Sequence, residues 1–272
     1  MLKSQDKNLE FINPKNIDDK FISLFNKPGP YYSSYPILGN WKDIAQTSIN
    51  YEKSLQDFFT KNPNNPTTLY VHIPYCAKLC YYCSCRMHIS NNRNVINSFV
   101  QLLIKEIFML SDLFNRNKIK PNIKEIHLGG GTPSHLLIHE IQEILKSLES
   151  FVSFENLDEF SMEIDPRTVK NEDFVEYAKL GVDRISFGVQ DFDPGVQKKI
   201  NRVQPYELVK KLMDSELRKH FKGVNFDLLY GLPCQTLETF SNTIELTKKL
   251  SPDRITLIKY AHIPNKRKHL NL

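Results

Sequence analysis

The 272-residue chain has no apolar run that approaches the roughly 20 residues a membrane-spanning helix needs. Its first residues, MLKSQDKNLEF, lack the apolar core of a signal peptide. From these absences we expect a cytoplasmic protein without membrane contact, in a compartment where thiols stay reduced.

Neither sign of charge is in large excess, because the chain has 36 lysines and arginines and 31 aspartates and glutamates. Its net charge is +5. This balance is compatible with an anionic partner but is too small to indicate nucleic acid. We therefore expect no nucleic-acid partner. The length suits one substantial core, and we expect a monomer.

Cysteine is scarce, yet four of the five cysteines lie within ten residues, at Cys76, Cys80, Cys83 and Cys85. The odd count and the absence of a secretory signal argue against a disulfide framework. The C-x3-C-x2-C spacing puts three thiolates on one loop and favours an iron-sulfur cluster with one iron left open. Structural zinc usually takes two separated pairs of ligands, which this loop does not provide. A zinc site, and thiols with only a structural or redox role, are the alternatives.

From Thr68 onward, short β-rich runs alternate with amphipathic stretches, the pattern of repeated βα units and a parallel sheet. We predict six strands, at 68–73, 123–128, 159–164, 183–188, 224–230 and 253–258. Five helices are predicted between them, at 94–115, 134–149, 171–180, 205–219 and 236–250, with Ser134 as an N-cap. Six strands are too few for a closed eight-stranded barrel.

The segments on either side of this pattern differ from it. Residues 1–67 show little periodicity and several turn signals, so they are predicted to form an N-terminal arm with a short helix at 51–60. We expect the barrel to occupy 68–264 and a basic tail to occupy 265–272.

Several polar residues fall in or directly after the predicted strands. Glu163 and Asp165 alternate with apolar neighbours and should share one face, where a buried carboxylate needs a partner. Taken alone, these acids are more often parts of core salt bridges than ligands, and His72 alone is more often a satisfied core histidine. The glycines at 129–131 allow either a tight turn or the close approach of a ligand. For Gln190, Arg202 and Asp227 the same two interpretations apply: a polar contact within the core, or a contact with a ligand.

The string HIPYCAKLCYYCSC, directly after a strand, resembles the signature of radical S-adenosylmethionine (SAM) enzymes. With Cys85 it is similar to the oxygen-independent coproporphyrinogen III oxidases. Further segments match that family in order: GPYYSSYP at 29–36, HLGGGTP at 127–133, SMEIDPR at 161–167, RISFGVQDF at 184–192, NFDLLYGLP at 225–233 and PDRITLIKYAHIP at 252–264. The resemblance extends from about residue 20 to about residue 264.

The resemblance implies an α/β fold, a partial (β/α)6 radical SAM barrel with an N-terminal arm. It implies a 4Fe-4S cluster held by Cys76, Cys80 and Cys83, with SAM bound beside the cluster. Members of this family hold two SAM molecules. His72 and Cys85 are the catalytic candidates, and the role of Cys85 is either on the substrate side or local and structural. The implied SAM contacts are Tyr70, Tyr82, Gly130, Gly131, Thr132, Glu163, Gln190, Arg202, Asp227 and Ala261.

The implied activity is the oxidative decarboxylation of coproporphyrinogen III to protoporphyrinogen IX in haem biosynthesis, with a reductant such as a flavodoxin or ferredoxin. Because the match stops near Pro264, we expect the C-terminal domain of the family to be missing. A haem-binding radical SAM chaperone and an inactive, truncated remnant of the oxidase are the alternatives. Cys85 and the GPYYSSYP segment favour the oxidase over the chaperone.

Overall fold

The computed structural model describes residues 18–25, 48–213 and 218–262. The chain forms two compact units, residues 1–48 and 49–272. The described part of the first unit includes helix α1 (Asp19–Phe25). The GPYYSSYP segment at 29–36 and the predicted tail at 265–272 lie outside the described residues.

The second unit is built on six parallel strands in the order β1-β4-β5-β6-β7-β8. A separate parallel pair of two residues each, β2 and β3, follows β1 in the chain. The bounds are β1 Thr67–Ile73, β2 Tyr75–Cys76, β3 His88–Ile89, β4 Ile123–Gly130, β5 Glu159–Ile164, β6 Arg184–Gln190, β7 Gly223–Tyr230 and β8 Arg254–Lys259. In the described residues, β1 and β8 are the two edges of an open sheet. The predicted partial (β/α)6 barrel is confirmed, and each strand bound lies within two residues of its predicted position.

A helix of this unit precedes β1, and further helices connect each strand of the large sheet to the next. Their bounds are α2 Ser48–Lys61, α3 Arg93–Arg116, α4 Ile138–Leu148, α5 Asn171–Lys179, α6 Pro194–Lys199, α7 Tyr206–Leu212 and α8 Leu237–Leu250. The short helix α6 was not predicted, and α7 ends at Leu212, before the predicted end at 219. The predicted N-cap at Ser134 is wrong, because Ser134 lies in a 3-10 turn and α4 begins at Ile138. Its hydroxyl instead accepts a hydrogen bond from the Asp165 amide, 3.1 Å away.

The two faces of the sheet differ in chemistry because side chains alternate along each strand. One face packs against the helices and forms the main apolar core, with Ile126, Met162, Phe187 and Phe226 almost fully buried. The opposite face has polar side chains and borders a cavity of about 260 Å³. Residues of five neighbouring strands line the cavity, among them His127, Ser161, Glu163, Ser186, Asn225, Asp227 and Thr256. The polar residues of the strands are thereby collected on the inner side of the partial barrel.

Within the described residues, no helix has both the length and the apolar character needed to cross a membrane.

Phe174 on α5 is the centre of the aromatic part of the core. It is fully buried and makes edge-to-face contacts with Tyr177, Phe187 and Phe221 at ring-centroid distances of 6.1, 5.8 and 6.1 Å. We predict that Phe174→Ala lowers the free energy of unfolding by about 3–5 kcal/mol, because it leaves a cavity and removes these contacts. Urea unfolding followed by circular dichroism measures the change.

The neighbouring residue Val175 provides a control on the same helix, because its side chain is 38% exposed. Val175→Ala should change the free energy of unfolding by less than about 0.5 kcal/mol. Equal destabilisation by both substitutions would contradict the placement of Phe174 in the core.

Candidate active site

The four clustered cysteines lie on a loop between β1 and α3 that is closed at its base by backbone hydrogen bonds. The amide of His88 donates to the carbonyl of Pro74 at 2.6 Å, and the amide of Ser90 donates to Cys76 at 3.1 Å. Farther along the loop, the side-chain amide of Asn201 donates to the carbonyl of Leu79 at 2.7 Å. The loop is therefore held both to β1 and to the connection between α6 and α7.

All five cysteines lie in the described residues, and each is a thiol. Cys80 is buried, Cys76 and Cys83 are half-buried, and Cys85 is exposed. Burial raises the pKa of the Cys76 thiol, although a hydrogen bond from Thr132 acts against this effect. The pKa of Cys83 is raised by its side-chain hydrogen bond with Cys85 and then by burial. Metal binding at these thiols would therefore release protons.

Two of the three predicted ligand sulfurs accept hydrogen bonds from residues outside the loop. The hydroxyl of Thr132 donates to Cys76 Sγ at 3.2 Å. At Cys80 Sγ the donors are Arg167 Nη2 at 3.4 Å and Arg202 Nη1 at 3.5 Å. Hydrogen-bond donors and positive charge stabilise thiolate ligands. The surroundings of Cys76 and Cys80 therefore fit thiolate ligands of an anionic cluster.

The end of β4 approaches the loop so closely that only glycine fits. A Cβ atom on Gly131 would lie 2.8 Å from the backbone carbonyl of Pro74 and 3.0 Å from Cys76 Sγ. Gly130 has a φ of +118°, which side chains rarely adopt. Its amide donates to Glu163 Oε2 at 3.1 Å. The glycines thus bring β4 against the cysteine loop and hold a carboxylate beside it.

In the described part of the chain, no three His, Cys, Asp or Glu side chains already converge as a set that could hold a metal ion. The residues fit a 4Fe-4S cluster by their chemistry: three thiols lie on one loop, and two of their sulfurs accept hydrogen bonds from Thr132, Arg167 and Arg202.

Asp165, directly after β5, is paired with two arginines. Arg167 Nη2 lies 2.7 Å and Arg202 Nη1 lies 3.2 Å from Asp165 Oδ2. Burial alone would raise the pKa of the Asp165 carboxyl, but the charge of Arg202 and the hydrogen bonds from Arg167 outweigh it and lower this pKa to about 2. A carboxylate at this position therefore stays ionised and fixes both guanidinium groups.

His72, a catalytic candidate from the sequence, uses both ring nitrogens within the protein. Nδ1 lies 3.1 Å from the Tyr70 hydroxyl, and Nε2 lies 3.0 Å from the carbonyl oxygen of Arg86. Because a carbonyl only accepts, Nε2 holds the proton and Nδ1 accepts from Tyr70. In this structure His72 connects β1 to the returning end of the cysteine loop.

The predicted SAM contacts lie in two separate places in the structure. On the inner face of the sheet, Tyr70 stacks on His127 at a ring distance of 5.6 Å, and His127 Nε2 lies 3.3 Å from Glu163 Oε1. Partial burial and the charge of Glu163 raise the pKa of Tyr70 to about 12. Asp227, also on this face, accepts hydrogen bonds from Ser186 and Asn225, and burial nevertheless raises its pKa.

The second group lies nearer the cysteines. Burial raises the pKa of the Tyr82 hydroxyl, and the charge of Arg202 acts against this shift. Gln190, in the left-handed region with a φ of +68°, lies with Arg202 over Gly188. Ala261 follows β8 and is half-buried, and the structure gives it no polar contact with either group in the described residues.

The sequence analysis expected a partner for the buried Asp165 carboxylate but did not single out Arg167, which is one of its two partners in the structure. The available signal was the D-P-R run at 165–167, which directly follows a buried strand and therefore falls at the carboxyl edge of the sheet.

Family comparison agrees with this geometry. The model of the radical SAM superfamily matches residues 70–247, and the chain belongs to this superfamily. Membership implies a 4Fe-4S cluster and SAM.

Individual relatives show a more specific similarity within this superfamily. An oxygen-independent coproporphyrinogen III oxidase from Helicobacter pylori is 38% identical over 255 residues, which are 92% of this chain and 54% of that protein. The enzyme of the same name from Escherichia coli K12 is 34% identical over 247 residues. A solved structure of coproporphyrinogen III oxidase from Escherichia coli, described as a radical SAM enzyme, superposes with a TM-score of 0.77 at 32% identity. It matches 88% of this chain and 53% of its own, so the chain spans about half the length of these relatives.

We predict that Asp165→Asn lowers the free energy of unfolding by about 3–5 kcal/mol near pH 7, because it leaves the buried guanidinium of Arg202 and the partly buried guanidinium of Arg167 without their counter-ion. The Asp165 pKa is lowered in the folded protein, from 3.8 to about 2. Its contribution is therefore present above about pH 4 and is lost as the pH falls toward 2.

Urea unfolding of both proteins at several pH values measures this. The difference between wild type and Asp165→Asn should shrink by about 2 kcal/mol from pH 5 to pH 2. A difference that is independent of pH would show that the ion pairs do not form.

Proposed function

We propose that this chain contains the cluster-binding and SAM-binding part of an oxygen-independent coproporphyrinogen III oxidase. The observation that supports this most is the cysteine loop, in which Cys76 accepts a hydrogen bond from Thr132 and Cys80 accepts one from Arg167, both from segments outside the loop. The relatives at 38% and 34% identity bear that name and match 92% and 91% of this chain.

Cys76, Cys80 and Cys83 would hold the 4Fe-4S cluster, with Thr132 and the two arginines at their sulfurs. When bound, the cluster and SAM supply the one-electron chemistry that starts hydrogen abstraction from a substrate propionate. The protein's own residues bind and orient: Glu163 presents a carboxylate to the cationic SAM, with His127 and the Gly130 amide fixing its two oxygens. We propose that six further residues complete the contacts with SAM, including those with any second SAM molecule: Gln190, Arg202, Asp227, Tyr70, Tyr82 and Ala261.

The proposed substrate is coproporphyrinogen III, and the product is protoporphyrinogen IX in haem biosynthesis. We also propose a cytoplasmic monomer that receives electrons from a flavodoxin or ferredoxin. The side chain of Cys85 is exposed and hydrogen-bonded to Cys83. We propose that Cys85 supports Cys83 rather than binding iron.

The cysteine assignment is tested by single serine variants after anaerobic reconstitution with iron and sulfide. Cys80→Ser should abolish the visible absorbance of the cluster, since a missing thiolate removes one of three ligands. Cys85→Ser and the matched control Cys234→Ser, which changes an exposed cysteine on the β7–α8 connection, should keep the iron content of the wild type. Iron retained by Cys80→Ser, or lost only in Cys85→Ser, would contradict the assignment.

The activity is tested with the reconstituted chain, SAM, dithionite and coproporphyrinogen III under anaerobic conditions. The proposal predicts 5′-deoxyadenosine and a product with vinyl groups in place of propionates. A formed cluster without either product would refute the oxidase assignment for this chain. Stoichiometric binding of haem without SAM cleavage would favour the chaperone instead.

A further inference from the structure

Arg167 has no part in the predicted SAM contacts, yet its guanidinium lies between a carboxylate and a predicted ligand sulfur. Nε and Nη2 donate to the two oxygens of Asp165 at 2.9 and 2.7 Å, a bidentate geometry that fixes the plane of the group. The same Nη2 lies 3.4 Å from Cys80 Sγ. Arg167 is thus aimed at the sulfur by the carboxylate behind it.

Little water reaches this contact. Cys80 is 7% exposed, and the side chains of Arg167 and Asp165 are 17% and 8% exposed. Charges interact more strongly where water is excluded, so a cation at the sulfur has a larger effect here than at the surface. The stabilisation of negative charge on Cys80 therefore falls mainly to protein donors.

Arg202 also reaches Cys80, but most of its donors are directed elsewhere. Its Nε and Nη2 both donate to the carbonyl of Gly188, and Nε also donates to Gln204. Arg167, in contrast, directs its donors to Asp165, Cys80 and the carbonyl of Asn201. Besides Cys80 and the Asp165 carboxylate that both arginines share, Arg202 donates to two further residues and Arg167 donates to one.

We infer that Arg167, held by Asp165, is a positioning residue that fixes the Cys80 ligand and raises the reduction potential of the cluster. This inference rests on the proposed function, because it requires a cluster at the cysteine loop. Reduction adds one electron to the cluster, and part of the added negative charge lies on its sulfurs. A cationic N–H donor stabilises the reduced form more than the oxidised form, so its removal should make the potential more negative.

The test compares Arg167→Met and Arg167→Lys with the wild type, using the full chain reconstituted with iron and sulfide. Dithionite is added in steps with redox mediators, and the reduced cluster is followed by electron paramagnetic resonance (EPR). Iron and sulfide content is measured on the same samples. Arg218→Met is the matched control, because it removes the same charge from an arginine that is paired with Asp253 at 2.8 Å, just before the amino end of β8.

For Arg167→Met we expect the ratio of reduced to oxidised cluster at a fixed solution potential to fall about tenfold, which is a shift of about 59 mV for one electron. Arg167→Lys should shift less, because it keeps the charge but lacks the planar fork. Arg218→Met should match the wild type. A wild-type potential in Arg167→Met would overturn the inference.

If Arg167→Met fails to assemble a cluster, Arg167→Gln decides, because it keeps an N–H donor and removes the charge. A more negative potential in that variant supports the inference, and an unchanged potential overturns it. A wild-type chain that takes up no cluster overturns the proposed function itself, which is a different result from a loaded cluster that is insensitive to Arg167.

Discussion

The buried carboxylate of Asp165 holds two arginines at the sulfur of Cys80, and this contact joins three distant parts of the chain. Cys80 is 87 residues from Arg167 and 122 residues from Arg202. An unpaired charge in such a position would be costly, so each member depends on the others. The cysteine loop, the end of β5 and the α6–α7 connection are therefore fixed relative to one another by electrostatics as well as by packing.

The parallel sheet explains why these parts meet. In a sheet of parallel strands the carboxyl ends lie at one edge, and the loops after β1, β4, β5 and β6 all leave from that edge. The absence of side chains at Gly130 and Gly131 allows β4 to approach the loop within contact of Cys76. Below this edge, the inner face of the sheet presents Tyr70, Glu163 and Asp227 toward the interior of the partial barrel.

Much of the fold follows from local sequence patterns. The strands were predicted within two residues, because alternating apolar positions bounded by turn residues are a strong signal. Helix α6 has only six residues, and β2 and β3 have two each, which is too short for a period to be visible. Ser134 looked like a helix cap because it is a serine before an apolar run, but tertiary hydrogen bonds to Asp165 and Thr168 use its hydroxyl.

The site was predictable as a set of residue types but not as a set of contacts. The cysteine spacing and the glycine run are local patterns, so sequence alone indicated the kind of cofactor. The pairing of Asp165 with Arg202 spans 37 residues and the bond from Arg202 to Cys80 spans 122, and no periodicity encodes either one. The assignment of His72 as a catalytic candidate likewise gave no hint that its Nε2 is bonded to the carbonyl of Arg86.

The central claim is that the cysteine loop holds a cluster with an open iron at which SAM binds. EPR spectra of the reduced, reconstituted chain, recorded with and without SAM, test it most directly. The account predicts the signal of a reduced 4Fe-4S cluster whose shape changes when SAM is added. A 4Fe-4S signal that SAM leaves unchanged, or no such signal at all, would contradict it.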